Sequence, residues 1–511
     1  MSIKKNIGVL VLLLVLLSMS AVSAEDVSIN ADDTYQTPNE IQKDFTSLQT
    51  DIDNSQNVFE LTYDVKHGDD EIDNYGISIT KNTIINGNGH TIDANGHGSI
   101  FVVKDSSVTL TLNDLTLINA NPVSDSSGIV SNGGAVYFDG STLIVNNVNF
   151  KNNTVYKCGG AIYTTGTCIV DSSVFDGNDV QFRSQNIDNG GAAIYNWYDS
   201  TLFIKNSTIS NNLKNYKNGD YVVGAVTSLG KTIISQNSYF VNNSGRWGGA
   251  ITTSGSSLPG KKVNELIISD STFSKNGGLY GAGIFIQGSK FSITSCVFDS
   301  NTASGKGNMT PNDNNGAAIE VTNTDKSITG TISKSTFTNN KAQYGGAIDI
   351  CAGTIKITNS KFINNSADVE GGAIDINALN GNPKVTISGS KFINNSAPLG
   401  GAILNIKDLT VKGSTFINNT PNTIFNWVGA GGNLNLNIRT FTDLQNAIGL
   451  VTGTLTLNQN VAMTAKEAAD FTNGITINKD ITIDGKGHTI DAKNLGRIFS
   501  IGEGFTVTLT N

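Results

Sequence analysis

The sequence predicts an all-β protein: a right-handed parallel β-helix with a short N-terminal capping helix, followed by the start of a second β-helix. Three observations carry that prediction. A Phe–Asn–Gly-Gly pattern recurs along the chain, apolar residues inside each copy alternate at every second position, and no block of helical periodicity long enough for an ordinary helix intervenes.

The unit is clearest in "KFINNSADVEGGAIDI" (361–376) and "KFINNSAPLGGAILNI" (391–406). Other copies pair Phe150 with Gly159 and Gly160, Phe240 with Gly248 and Gly249, Phe273 with Gly281, and Phe337 with Gly345 and Gly346. Gly133 opens the series, degenerate copies lie at Gly190, Gly224 and Gly316, and the Phe416 copy has lost its glycines. Copies recur at roughly 24 to 39 residues, the size of one supersecondary unit. Alternation, as in "TIKITNSKFINN", means strands with one buried face. A single unit cannot bury that face, so units stack, each strand bonding to the coils above and below at about 4.8 Å.

Each fixed residue then has a physical task. Phe and the alternating Ile or Val point inward and stack on their counterparts. The Asn pair turns a corner, where Asn tolerates left-handed backbone and its amide can bond to the same amide one coil away. The Gly pair gives a second corner access to positive φ, and Ala follows where the wall turns in closely. Copies that break the pattern are "DGNDVQFRSQNIDNGG", "DSNTASGKGNMTPNDNNGA" and "SGSSLPGKKVNEL". Insertions in a solenoid project from the wall, so the loops at 176–190 and 299–315 are expected to make partner contacts.

The two ends carry a longer repeat. "GISITKNTIINGNGHTIDANGHGSIF" from Gly76 aligns without gaps to "GITINKDITIDGKGHTIDAKNLGRIF" from Gly474, and "FTSLQTDID" at Phe45 resembles "FTDLQNAIG" at Phe441. Ile41, Phe45, Leu48 and Ile52 share one helical face, which predicts an amphipathic cap beginning near Pro38 and Asn39. "GAGGNLN" from Gly429 reads as a boundary. The expected organisation is a signal peptide over 1–24, the capped β-helix over 25–437 and a second, truncated β-helix beginning over 438–511, part of a longer protein.

Lys4 and Lys5, the apolar run Ile7 to Leu17 and the small residues Val22 and Ala24 make the N-terminus a secretory signal, cut after Ala24. Secretion or cell-surface display follows, with no transmembrane segment after cleavage. Lys+Arg 34 against Asp+Glu 43, a net charge of −9, excludes nucleic acid as a partner. Gly 55 against Pro 7 fits many strands joined by tight turns. Cys158, Cys168, Cys296 and Cys351 form no metal-ligand spacing; buried thiols are expected, with a Cys158–Cys168 bridge as the alternative.

Phe-x-x-Asn followed by Gly-Gly-Ala-Ile, as at Phe362, Asn365 and Gly371 to Ile374, resembles the repeats of chlamydial polymorphic membrane proteins. It is similar also to the large adhesin-like surface proteins of methanogenic archaea. "DGKGHTIDA" resembles the first coils of pectate-lyase-like β-helices. The resemblance implies cell-surface display and adhesion, with glycans or surface proteins of other cells as partners, although the sequence carries no recognisable barrel, C-terminal membrane helix or wall-binding module.

An enzymatic reading stands as the alternative, because β-helices host polysaccharide lyases and hydrolases. Asp69, Asp70 and His97 resemble polygalacturonase elements, but the second copy reads "NLG" in place of "GHG". No coil offers a compact Asp cluster beside Arg or Lys. His90 and His488 read as packing or turn residues, and Asp313 as a solvated loop residue. The protein is therefore expected not to be an enzyme and to need no cofactor or metal. A purely structural sheath component is a further alternative. Tyr195, Trp197, Tyr198 and Trp247 are candidate ligand contacts, competing with a role as an aromatic ladder. Asn-x-Ser/Thr sequons place candidate glycosylation at Asn152, Asn206, Asn242, Asn308, Asn364, Asn394 and Asn418. An enzyme would assemble Asp, Glu, His and Arg or Lys across adjacent coils; a spacer would show Asn, Ser and Thr there.

Overall fold

A computed structural model of the chain describes residues 43–69, 76–122, 132–182, 190–214, 216–217, 220–254, 264–304, 315–322, 328–377, 379 and 381–511. The signal segment, Ile41, Pro38, Asn39 and most of the two long inserted loops lie outside these residues. Among the described residues, none of the helices is long and apolar enough to cross a membrane.

Parallel pairing runs from coil to coil throughout, and the chain is a parallel β-helix. One coil shows the plan. Gly345 and Gly346 lead into strand Ile348–Ile350; after a turn come Thr354–Thr358 and Lys361–Ile363, then the short strand Ser366–Glu370. Each segment pairs in register with its counterpart one coil on: Ile348 with Ile374, Thr354 with Lys384, Phe362 with Phe392. Three walls result: a 16-stranded sheet of Gly-Ala-Ile segments, a 25-stranded sheet of the segments on either side of Ser360 and its equivalents, and a four-stranded sheet that includes Lys341–Tyr344 and Ser366–Glu370.

The repeated letters do the expected work. Phe298, Phe337, Phe362, Phe392 and Phe416 stack face to face with centroids 4.7 to 4.8 Å apart. At the corner the two Asn residues divide the labour. Asn364 takes φ 55° and points outward, while Asn365 is fully buried. The Asn365 amide donates to Asn395 Oδ1 and to the Phe337 carbonyl, both at 3.0 Å. The same pair of bonds recurs from Asn153 to Asn395. A second ladder joins backbone N–H groups to serine hydroxyls one coil on, through Ser335, Ser360, Ser390 and Ser414, with Cys296 in line. Burial without a partner would cost each of these polar groups about 1–3 kcal/mol, so the ladders are what permit a polar corner inside the wall. The Gly pair also splits its roles. Gly371 sits at φ 66°, whereas a Cβ on Gly372 would lie 2.1 Å from the Gly401 carbonyl oxygen.

The cap helix spans Phe45–Asn54 and buries Phe45, Leu48 and Ile52. It starts later than Pro38 and Asn39 suggested, because the Asp44 carboxylate accepts from the Ser47 N–H at 2.8 Å and so fixes the first turn. Gln49 docks the helix by exchanging two amide bonds with the Ser78 backbone, at 2.7 and 3.1 Å. The second helix, Phe441–Leu450, repeats the device: Gln445 makes the same exchange with Thr476, at 2.7 and 2.8 Å. The wall nevertheless runs across the expected boundary at 437/438. Strand Ile424–Asn426 pairs with Val451–Gly453, and the continuation Thr454–Thr456 pairs with Thr482–Asp484.

Candidate functional site

In the strands of the 16-stranded sheet, first and third residues face the core, so the pleat turns the middle residue outward. Register stacks these middle residues in one column: Tyr137, Tyr163, Tyr195, Thr227, Thr252, Phe285, Glu320, Asp349, Asp375, Leu404 and Phe425. Most of the column is nonetheless buried.

Its aromatic stretch is a ladder. Tyr137 stacks on Tyr163 at 5.4 Å and Tyr163 on Tyr195 at 5.8 Å. Tyr195 is fully enclosed, which corrects its selection as a ligand contact: a buried ring has no face to offer. Trp197, 36% exposed, lies 5.8 Å from the Tyr195 ring and meets the half-buried Tyr198 edge-on at 5.2 Å. Trp247 stacks on Tyr280 at 6.3 Å, with the Arg246 guanidinium 5.1 Å from its ring.

The carboxylate stretch was not expected. Glu320, Asp349 and Asp375 occupy the column in consecutive coils, and all are buried. The acids gather between coils rather than within one, and neither aspartate has a Lys or Arg ion-pair partner among the described residues. Asn377 binds two of its members, donating to Asp349 Oδ1 at 2.6 Å and to Asp375 Oδ2 at 3.2 Å. The Cys351 thiol lies 3.3 Å from Asp349 Oδ2. Glu320, Asp349 and Cys351 bring ligand-type atoms within 4.8 Å of one another, so the absence of a metal spacing along the sequence did not preclude a cluster in space. Asp375 Oδ1 is buried and has no hydrogen-bond partner. It borders a cavity of about 420 Å³ between this sheet and the four-stranded one, with Tyr344, Glu370, Asn315, Asn377, Leu379 and Ile406 completing the lining. Asn315 Oδ1 is buried without a partner as well.

Burial pushes both aspartates well above the ordinary carboxylate range, and like charge adds to it: Glu320 acts on Asp349, and Asp349 on Asp375. Burial also raises the Cys351 thiol, and Asp349 raises it further. Glu370 is raised by burial alone. Among the described residues none of the lining side chains is basic, and those that line the cavity present carboxyl, amide and hydroxyl groups to a ligand.

The other candidates fall elsewhere. His97 Nε2 lies 3.6 Å from Asp69 Oδ1 and stacks on His67 at 4.8 Å, beside the cap helix; Asp70 lies outside the described residues. His90 and His488 hold equivalent turns, each donating its N–H to a glycine carbonyl, Gly87 or Gly485, at 2.8 Å. All four cysteines are free and buried, which removes the Cys158–Cys168 bridge. Sequon residues Asn152, Asn206, Asn242, Asn364, Asn394 and Asn418 are exposed, each at positive φ. Asn308 and Asp313 lie outside the described residues.

The family model of the Chlamydia polymorphic membrane protein repeat matches residues 147–165 and 334–350. Both segments run from a stacked Phe through the Asn corner to the Gly pair, and the second includes Asp349. No curated protein and no solved structure matches the chain.

Proposed function

We propose that the protein is exported and displayed at the cell surface as an adhesin-like β-helical stalk that attaches non-covalently to glycans or to surface proteins of other cells. The observation that carries this reading is the match to a repeat described from polymorphic membrane proteins, lying on coils whose Phe, Asn and Ser ladders make a stiff wall. A wall of this kind holds any contact site at a fixed distance from its base. The exposed Trp197 face and the insertions at 176–190 and 299–315 are the contacts this reading favours, and modification of the exposed sequon asparagines is compatible with it. A glycan-array and whole-cell binding screen on the secreted chain, with Trp197→Ala and with each insertion shortened, tests it. Binding that falls with one of these changes supports the reading; no binding to any glycan or cell counts against it.

A second reading is favoured by the cavity. Glu320, Asp349 and Asp375 in consecutive coils, with Glu370 across the gap, supply the paired carboxyl groups that glycoside hydrolysis uses. Release of reducing ends from acidic or neutral polysaccharides, lost in Asp375→Asn, would move the assignment to an enzyme.

A further inference from the structure

In-register strands place equivalent side chains about 4.8 Å apart, and like charges in that position repel. Elsewhere in the walls, charged residues in register are of opposite sign, as Asp171 opposite Lys205, or lie in solvent, as Lys361 opposite Lys391. Glu320, Asp349 and Asp375 are the exception, and they sit where water is excluded. Neither aspartate has an ion-pair partner among the described residues. Two neighbouring buried aspartates with no ion-pair partner among the described residues are costly in the ionised form unless something else supplies positive charge.

We propose that this cluster is a binding site for one divalent metal ion of the zinc type, held by the Glu320 carboxylate, Asp349 Oδ2 and the Cys351 thiolate. Two features beyond the acidity point to a ligand. The first is the sulfur. Asp349 Oδ2 and Cys351 Sγ are 3.3 Å apart. A tetrahedral zinc with Zn–O near 2.1 Å and Zn–S near 2.3 Å sets that edge at about 3.6 Å, so a small opening of the pair admits the ion. Calcium and magnesium ask for six or more oxygens and no sulfur, which this set does not supply. Zinc, cobalt(II) and iron(II) accept mixed carboxylate and thiolate ligands. The second feature is Asp375 Oδ1, 1% exposed and unpaired at the cavity wall, while its other oxygen shares the Asn377 amide with Asp349.

Asn377 is therefore a positioning residue. By occupying Asp349 Oδ1 it leaves Oδ2 turned to Cys351, as outer partners commonly orient metal carboxylates. The cavity reaches Asn377, the residue bonded to Asp349, and is lined by the unpaired Asn315 and Asp375 oxygens. Binding deprotonates Cys351, with the proton leaving to water, and the ion then offsets the charge of its carboxylate ligands.

The test uses the full chain, stripped of metal with a chelator and kept reduced with a phosphine. It is titrated with cobalt(II) and separately with zinc. The expected result is one equivalent bound per chain and a thiolate-to-cobalt charge-transfer band, bleached by zinc and not by calcium. Cys351→Ser loses the band; Cys296→Ser, a buried thiol in the serine ladder, keeps it. Asn377→Ala weakens zinc affinity by 10-fold or more, as loss of an outer partner does. The wild-type spectrum is decisive even if a variant fails to fold. Cobalt binding with no charge-transfer band, binding well below one equivalent, or a band that survives Cys351→Ser would overturn the assignment.

Discussion

The Asn365 amide spans three coils, donating to Asn395 Oδ1 on one side and to the Phe337 carbonyl on the other, both at 3.0 Å. Its own Oδ1 accepts from the Asn340 amide at 2.9 Å and from the Asn340 N–H at 3.1 Å. Replacing it strands donors and acceptors in adjacent layers. Asn365→Ala is therefore expected to destabilise by roughly 2–4 kcal/mol, since each buried group left unpaired costs about 1–3 kcal/mol. Asn364→Gly, one residue earlier, is expected to change stability by no more than about 1 kcal/mol, because φ 55° suits glycine and the side chain is exposed. Urea unfolding of the two variants beside wild type checks the contrast. Equal effects would mean that the ladder is not a main source of stability.

The glycine pair offers a second contrast. A Cβ at Gly372 meets backbone at 2.1 Å, the Gly401 carbonyl oxygen of the next coil. The contact is with main chain that is itself hydrogen-bonded, so it cannot yield locally. Gly372→Ala is expected to cost more than about 3 kcal/mol, comparable to severe overpacking. Thermal melting of the variant measures it; a loss under about 1 kcal/mol would show that the coils part more easily than their register implies.

How much of this was legible in the sequence depends on whether a feature repeats. The Phe stack, the Asn corner and the Gly corner recur in most coils, so their period exposed them. The serine ladder recurs as well, two residues before most stacked Phe residues, as in Ser360 before Phe362, but one hydroxyl among many Ser and Thr residues gives little contrast. The acidic cluster was written in three successive Gly-Ala-Ile copies, as Glu320, Asp349 and Asp375. Its meaning was not legible because alternation along a strand turns the middle residue outward, where an acid is unremarkable. What the sequence could not reveal is that this face is buried, with Tyr344 and Glu370 sharing a cavity lining with Asp375. Tyr195 likewise holds a middle position, and is enclosed by a separate cluster with Cys158, Tyr163 and Leu229. The second cap was legible through its near-copy of the first, whereas continuity of the wall into Val451–Gly453 depends on pairing that no local pattern encodes.

Thiol chemistry gives a prediction that depends on burial alone. Burial pushes the Cys168 thiol up to about 12 and the Cys296 thiol up to about 11, and Cys351 lies well above its usual range. The thiolate is the reactive form, so native protein at pH 8 should react with an aromatic disulfide reagent orders of magnitude more slowly than a free thiol. All 4 cysteines should titrate once the chain is unfolded. Rapid reaction of even one thiol in the native state would place that cysteine at an opening in the wall.

The acid limb of stability should report on the second cap. Glu467 is held down to about 2: partial burial alone would raise it, but bonds from the Thr442 and Thr464 N–H groups and the Thr464 hydroxyl outweigh that. A carboxylate with a lowered folded-state value stabilises the fold above its unfolded value, near 4.5, and this contribution is lost as pH falls toward 2. Glu467 ties the start of the helix Phe441–Leu450 to the turn at Thr464, so unfolding of the segment from residue 438 onward should steepen across that window. Glu467→Gln keeps an acceptor and removes the charge; its melting temperature should sit below wild type at pH 6 and converge with it near pH 2. Hydrogen exchange of the amides in Phe441–Leu450 at the two pH values would locate the effect. Parallel pH profiles for variant and wild type would show that these bonds do not stabilise the cap through the ionised carboxylate.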